Sequence, residues 1–402
     1  MTQRLKKSSF ALFPILAFIG YFFGYYESHV DLLTNSITSG LWIDEGPSPL
    51  WNATGFLIPV LDFWLGQVFG AFNYFAFITV FINSASLTLM FWCLLKLSSK
   101  LDVKGKYVIA LLLWLIIAAP QTLTLNSTRI AITGAFSVLA FIHINDNWNG
   151  LLGRIKTLSL ILFTITLSLI RMEAVILIGA VIGVPLFLYH RWSVKFLLPL
   201  SVGVFVLVSY NFFFVDNAPD AMKAFYYYEM ELIDRGGVCV NDAYSRGLLA
   251  DDSSTLINAQ DSLSLRATTL IYHSLPDTGL FQSSFISDVL CTEKVQPMFD
   301  WILGGVSIES WKNCFQMSVE SSKRSLIALL TALFSLLFIS FSFPLSSTSL
   351  YATFLFLLPG LLLFHISLPT RFTVPYYTCY AAIVLVIGYA KRPAFGPYAK
   401  GI

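Results

Sequence analysis

Long apolar runs separated by short polar segments make up most of the chain. Each run approaches the 20 or so residues that a helix needs to cross a bilayer. The ten runs cover residues 8–26, 73–95, 107–122, 128–144, 157–170, 173–190, 195–213, 324–343, 348–367 and 372–390. A transmembrane β-barrel would show shorter alternating segments instead. The pattern therefore predicts an all-α polytopic membrane protein with about ten transmembrane helices, in a range of roughly nine to eleven.

Composition supports this fold class. Charged residues make up 12% of the chain and its mean hydropathy is +0.72, whereas soluble domains carry about 25% charged residues. The stretch 55–71 is apolar but contains Pro59 and Asp62. It is therefore predicted to form a helix along the membrane interface rather than a span.

Basic residues indicate the sidedness of the chain. With the N-terminus inside, the inner loops and the C-terminal tail hold Lys96, Lys100, Lys104, Lys106, Arg154, Lys156, Arg191, Lys195, Lys391, Arg392 and Lys400. This excess predicts cytoplasmic termini. Residues 157–190 could form one long helix or a hairpin, and only the hairpin keeps the C-terminal tail on the basic side. The charge pattern therefore predicts a hairpin with Arg171 and Glu173 at its outer tip.

Three parts of the chain are predicted. Residues 1–213 form an N-terminal transmembrane module with a first outer loop at 27–72, and residues 324–402 form C-terminal transmembrane helices. Residues 214–323 between them form an extracytoplasmic region of short helices, with fifteen acidic and seven basic residues. Three cysteines lie in that region: Cys239, Cys291 and Cys314. They allow one disulfide, with three pairings open, in an oxidising compartment.

Polar residues that are costly near a membrane gather on the predicted outer side. They are Asp44, Glu45, Arg129, Arg171, Glu173, His365, Arg371, Tyr376 and Tyr377. Ionisable groups at membrane depth usually face a cavity or one another. Because these residues come from four separate loops, no single amphipathic helix accounts for their common side. Together they predict a polar functional site.

Several of these residues also have a purely structural interpretation. Arg171 and Glu173 would pair with each other to seal the hairpin. Arg129 would extend to the interface as a snorkelling side chain. His365 would be a packed histidine, and Arg371 would cap a span.

The acidic pair Asp44 and Glu45 lies in the segment GLWIDEGPSPLW, residues 40–51. Its glycine and prolines fit a solvated turn, but its tryptophans and aliphatic residues favour a loop against the bilayer. A carboxylate there can take the proton of an acceptor hydroxyl. Nearby arginines can bind a phosphate and stabilise it as a leaving group. These residue types favour a transferase that moves a sugar from a polyprenyl phosphate to an acceptor on the outer leaflet.

The order of these features resembles the GT-C superfamily of integral-membrane glycosyltransferases. The resemblance rests on the acidic WIDEGPSPLW motif, on an interface helix ending in Gly70, and on the Arg-x-Glu segment in LIRMEAVIL. LPTRFTVPYYTCYAAIVLVI is similar to the family's RY…P entry into a late span, with Phe372 in place of the usual tyrosine. The resemblance covers about 200 of the 402 residues. The length and the large late loop are also similar to phage-type glucosyltransferases that modify O-antigen.

The resemblance implies an inverting transfer from a polyprenyl-phosphate sugar, with a first-loop carboxylate as general base. That base would be Asp44, which is slightly preferred, or Glu45. The expected donor-phosphate ligands are Arg129, Arg171 and Arg371. Supporting residues would be Glu173, His365, Tyr376 and Tyr377.

The expected partners are the sugar donor, a glycan or lipid-linked acceptor such as O-antigen, and membrane lipids. A net charge of +2 gives no indication of nucleic acid binding. No D-x-D motif and no cluster with metal-ligand spacing occurs, so no tightly bound metal is predicted; a loosely held divalent cation on the donor phosphate stays open. Few convincing glycosylation sequons occur, which favours a bacterial inner membrane with the site on the periplasmic side, in modification of cell-envelope polysaccharide.

Three other functions stay open. An O-antigen polymerase or ligase would use a diphosphate-linked donor, but such proteins usually carry arginines in a large outer loop that is acidic here. A lipid-glycan transporter or flippase would need ionisable residues at mid-membrane, and the predicted spans hold almost none. A non-catalytic scaffold would leave the lipid-glycan profile unchanged when Asp44 and Glu45 are neutralised.

Overall fold

The computed structural model describes most of the predicted spans. The described residues are 3–26, 65, 68, 74–99, 105–145, 148, 150–189, 193–210, 212, 323–342, 350, 352–357 and 370–391. The chain divides into two compact units, one of 1–27, 69–207 and 304–402, the other of 28–68 and 208–303. Nearly all described residues belong to the first unit.

Several predictions lie outside the described residues. They concern Asp44, Glu45, His365, the extracytoplasmic region with its three cysteines, and the interface helix except for residues 65 and 68.

Helices account for almost all of the described structure. They are α1 (Gln3–Phe23), α2 (Tyr74–Ser98), α3 (Lys106–Leu123), α4 (Ser127–Ile144), α5 (Gly150–Ile178), α6 (Val184–Tyr189), α7 (Leu198–Tyr210), α8 (Lys323–Ser342) and α9 (Thr370–Lys391). A π-helical turn (Gly179–Gly183) joins α5 to α6, and a 3₁₀ turn (Val194–Leu197) precedes α7. Residues 352–357 are also helical. Two short strands, β1 (Tyr25–Tyr26) and β2 (Thr124–Leu125), pair in parallel.

Four of the described helical stretches are long and apolar enough to cross a membrane. They are Ala76–Ser98, Lys106–Leu123, Ser127–Ile144 and Gly150–Leu188. Shorter apolar helices cover Ala11–Phe23, Val194–Tyr210, Ile327–Leu337 and Phe372–Leu385. The prediction of a helical integral membrane protein is confirmed.

The longest of these stretches is a hairpin. Arg171 interrupts α5 with a φ of −157° and a ψ of 86°. Before this break Leu167 packs against Gly134 of α4, and after it Gly183 lies beside Leu139 of the same helix. A continuous helix would carry Gly183 about 24 Å beyond Leu167, whereas Gly134 and Leu139 are only about 7.5 Å apart along α4. The chain therefore reverses at Arg171, as the charge pattern predicted.

The first arm of this hairpin begins at Gly150 rather than at residue 157. The sequence predicts a loop at Arg154 and Lys156, but both residues lie on the first two turns of α5. From Gly150 to the break the arm measures about 31 Å, close to the thickness of a hydrocarbon core. Gly150 has a φ of 72°, a left-handed conformation that glycine adopts without strain.

Hydrogen bonds establish the directions of α2, α3 and α4. Gln121 Nε2, near the end of α3, donates to Asn83 Oδ1, in the first half of α2, at 2.9 Å. These two helices are therefore antiparallel. Lys96 Nζ, near the end of α2, donates at 3.0 Å to Oδ1 of Asn145, which directly follows α4. Helices α2 and α4 are therefore parallel.

One end of the helix bundle carries lysines. Lys106 Nζ donates to the Ser99 carbonyl oxygen at 3.2 Å, just beyond Lys96. Lys195 Nζ lies 4.8 Å from the ring centroid of Trp148, in the connection between α4 and α5. This end, defined by Lys96, Lys106 and Lys195, is named the lysine end.

The opposite end is named the arginine end, after Arg129, Arg171 and Arg371. Arg129 lies in the first turn of α4, and Arg371 lies in the first turn of α9. The two helices are parallel, because Phe136 packs against Tyr376 and the later halves of both helices line one cavity. Arg171 is at the reversal of the hairpin, where the first arm arrives from the lysine end.

Close packing against α7 depends on glycines in the second arm of the hairpin. Gly179 lies against the backbone of Leu200, and Gly183 lies against the carbonyl oxygen of Phe196. Their four-residue spacing is the small-xxx-small pattern that lets helix backbones approach within membranes.

Replacing Gly179 by alanine is expected to lower the free energy of unfolding by about 1–3 kcal/mol, because the added Cβ would overlap the Leu200 backbone nitrogen. Gly20→Ala in α1 is the matched control. Its Cβ would come no closer than 3.3 Å to another atom, Cγ1 of Val80, so a smaller loss is expected. Thermal unfolding midpoints in detergent measure both effects. Equal losses would contradict the claim that Gly179 is needed for close packing against the Leu200 backbone.

Candidate functional site

Arg129 is buried at the start of α4. Its backbone is held by Asn126, whose Oδ1 accepts from the backbone N–H groups of Thr128 at 3.0 Å and Arg129 at 3.4 Å. Only 4% of Arg129 is exposed, so it is not a side chain that snorkels along the lipid surface. The positive end of the helix dipole adds to its charge. The buried guanidinium group and the positive end of the helix dipole therefore lie together at the start of α4.

Arg171 forms an ion pair at the reversal of the hairpin. Its Nε lies 3.4 Å from Oε2 of Glu173, with 21% and 53% of the two side chains exposed. The structural interpretation, in which Arg171 and Glu173 pair with each other, is therefore confirmed. A pair this exposed contributes only about 0–1 kcal/mol. Its stabilising effect does not by itself explain why both charges occur at this position.

The structure brings Arg129 and Arg171 to nearly the same height in the bundle. Leu167 of the hairpin contacts Gly134 of α4. From that contact Arg129 lies about 7.5 Å toward the arginine end, and Arg171 lies about 6 Å in the same direction. Arg371 begins α9 at this end, and its side chain lies outside the described residues.

The described residues that flank the predicted first outer loop both lie toward the arginine end. Before the loop, Tyr25 and Tyr26 pair with Thr124 and Leu125, the two residues that precede Asn126. After the loop, the chain enters α2 at Tyr74, which lies beyond Asn83 in the direction of the arginine end. The chain therefore leaves the described bundle after Tyr26 and returns to it at Tyr74, in both cases toward the arginine end.

Tyr376 and Tyr377 are buried by packing rather than open to a substrate. The Tyr376 hydroxyl donates to the Leu355 carbonyl oxygen at 2.8 Å. The Tyr376 ring is stacked on Phe372 at a centroid distance of 5.6 Å and lies 5.7 Å from Phe136. Tyr377 faces Tyr376 edge-on. These rings are named the aromatic layer: Phe136, Phe372, Tyr376 and Tyr377.

A buried polar network connects α2, α3, α4 and α9 on the lysine-end side of Arg129. Thr133 Oγ1 donates to Gln121 Oε1 at 2.7 Å. Asn83 Nδ2 donates a hydrogen bond to the backbone carbonyl oxygen of Gln121 at 3.1 Å. This bond adds to the side-chain hydrogen bond between the same two residues. Cys379 Sγ lies 3.9 Å from Thr133 Oγ1 and brings α9 into the network. Interhelical hydrogen bonds of this kind hold membrane helices in register, so the network fixes the helices to which Arg129 and Arg371 belong.

Sequence reasoning did not identify this network as part of the site. Asn83, Gln121 and Thr133 each interrupt an apolar run, which is the signal that could have marked them. In the described part of the chain, no three His, Cys, Asp or Glu side chains come close enough to hold a metal ion. Comparison with known protein families, characterised proteins and solved structures finds no match to this chain.

Proposed function

We propose that the protein is an inverting, GT-C-like glycosyltransferase. It moves a sugar from a polyprenyl-phosphate donor to a glycan or lipid-linked acceptor, such as O-antigen. The main support is the arrangement at the arginine end. The chain leaves the described bundle before the segment with Asp44 and Glu45 and returns to it after that segment, in both cases toward the end where Arg129, Arg171 and Arg371 lie.

In the proposed reaction, Asp44 or Glu45 accepts the proton of an acceptor hydroxyl. The hydroxyl oxygen attacks the anomeric carbon, the bond from that carbon to the phosphate oxygen breaks, and polyprenyl phosphate leaves. A single displacement inverts the configuration at that carbon. Arg129 and its neighbouring arginines stabilise the charge that develops on the phosphate, and a buried guanidinium acts more strongly there than one in water.

The proposed orientation places the arginine end in the periplasm of a bacterial cell and the lysine end in its cytoplasm. Lys96, Lys106 and Lys195 gather at one end of the described bundle. Such gathering is the asymmetry that the positive-inside rule associates with the cytoplasmic side. In this orientation both termini are cytoplasmic, and the chain crosses the inner membrane about ten times.

The wild-type chain is expected to release free polyprenyl phosphate when it is given polyprenyl-phosphate sugars and extracted membranes that contain the native acceptor. A parallel panel of diphosphate-linked donors is the control. Release from monophosphate donors alone, with inverted linkage in the product, supports the proposal. Turnover of diphosphate donors alone would indicate a polymerase or ligase. No turnover of either class by folded protein would contradict a transferase and favour transport.

A further inference from the structure

A second feature of the bundle lies away from the arginine end. A cavity of about 100 Å³ separates α4 and the second arm of the hairpin from the C-terminal helices. Its walls are almost entirely apolar and include Leu139, Ala140, Ile182, Leu186, Ile383 and Val384. Walls of this character offer water few hydrogen-bond partners and favour apolar ligands. Within a membrane, the available apolar ligand is a lipid chain.

The aromatic layer separates this cavity from the arginine end. Phe136 belongs to both, because it lines the cavity and packs against Tyr376. The bond from the Tyr376 hydroxyl to Leu355 fixes the layer against helical residues 352–357. From Phe136 the cavity follows α4 to His143 in its last turn, a distance of about 10 Å. This length fits within one leaflet, whose hydrocarbon depth is about 15 Å.

The other end of the cavity reaches the lysine end. Leu97 lines the cavity. Its neighbour Lys96 donates a hydrogen bond to Asn145, just beyond α4. The exposed Lys195 lies over the ring of Trp148, which packs against Phe141 at a centroid distance of 6.3 Å. Lysines paired with aromatic rings are suited to the interface, where anionic headgroups lie.

We propose that the cavity holds one hydrocarbon chain of an anionic phospholipid whose phosphate binds beside Lys96 and Lys195. This lipid belongs to the leaflet at the lysine end. Its site is separated by the aromatic layer from the proposed donor site, so the inference does not depend on the proposed glycosyltransferase activity.

The test uses the purified full chain and phosphatidylglycerol with a photoactivatable diazirine in its acyl chain. Adducts are mapped by peptide mass spectrometry and are expected on residues 139–143, 182–186 and 380–384. Phosphatidylcholine with the same chain is expected to label these segments at least about fivefold less. Lys195→Gln should lower labelling by phosphatidylglycerol roughly fivefold and leave labelling by phosphatidylcholine unchanged.

Ala140→Phe is expected to lower labelling of all three segments about tenfold or more. The larger side chain would occupy the apolar space that the lipid chain needs. Ala119→Phe on the exposed face of α3 is the matched control and should leave labelling unchanged. If Ala140→Phe does not fold, Ala352→Leu fills the opposite wall.

Three outcomes would overturn the proposal. The first is labelling that survives both filling substitutions, and the second is equal labelling by the two phospholipids. The third is labelling of the cavity by a diazirine-bearing polyprenyl phosphate but not by phosphatidylglycerol. That result would assign the cavity to an isoprenoid chain.

Discussion

Asp44→Asn is expected to lower the rate of sugar transfer by about 10²–10⁴-fold, the range typical of removing a general base. Asparagine keeps the size of the side chain but cannot accept the proton of the acceptor hydroxyl. Because Asp44 is only slightly preferred over Glu45, Glu45→Gln is measured beside it. The residue that serves as base should show the larger loss, and donor binding should change little in either variant.

The measurement is release of polyprenyl phosphate, with thermal unfolding midpoints to show that each variant is folded. Asp102→Asn is the matched control, because the same chemical change is made in a predicted inner loop and should leave the rate unchanged. Full loss in Glu45→Gln alone would assign the base to Glu45. Undiminished release in both variants would contradict a catalytic role for the first outer loop and make Glu173 the next candidate.

The reversal of the chain at Arg171 could be predicted from charge. The reversal at Arg171 follows from the requirement that the basic C-terminal tail share a side with the basic inner loops. The apolar run begins seven residues after the start of α5, because Arg154 and Lys156 interrupt the hydrophobic pattern. A helix end at the interface carries such residues readily, since their long side chains extend toward water.

Contacts between distant segments could not be predicted in the same way. The partners of Gln121 lie on α2 and α4, and no local pattern identifies them. The spacing of Gly179 and Gly183 is a recognisable membrane packing motif, but the sequence does not show that α7 is the helix it meets. The cavity is lined by helices far apart in the chain, so it has no local sequence signal.

The sequence could predict that the three arginines share one end of the bundle, but not what surrounds them. Alternating spans bring Arg129, Arg171 and Arg371 to one end, and this follows from topology alone. The burial of Arg129 and the inward packing of Tyr376 depend on neighbouring helices. Sequence reasoning grouped the two residues as parts of one polar site. In the structure Arg129 begins α4 at the arginine end, and Tyr376 belongs to the layer that closes the apolar cavity.

Arg129→Gln is expected to lower the rate of sugar transfer by about 10²–10³-fold, the loss typical of removing one preorganised donor from a developing negative charge. The loss should appear mainly in kcat, because the negative charge on the departing phosphate is greatest in the transition state. Arg154→Gln is the matched control. Arg154 is an exposed arginine on the first turns of α5 at the lysine end, and its removal should leave the rate unchanged.

Arg129→Lys separates the role of charge from the role of geometry. Lysine keeps the positive charge but cannot offer the planar fork that binds two phosphate oxygens, so an intermediate rate is expected. Unfolding midpoints must accompany both variants, because Arg129 is buried and its replacement can also disturb the packing of α4. A folded Arg129→Gln protein with a wild-type rate would place the donor phosphate elsewhere. Equal losses in the lysine and glutamine variants, at unchanged stability, would show that bidentate geometry at the start of α4 matters more than its charge.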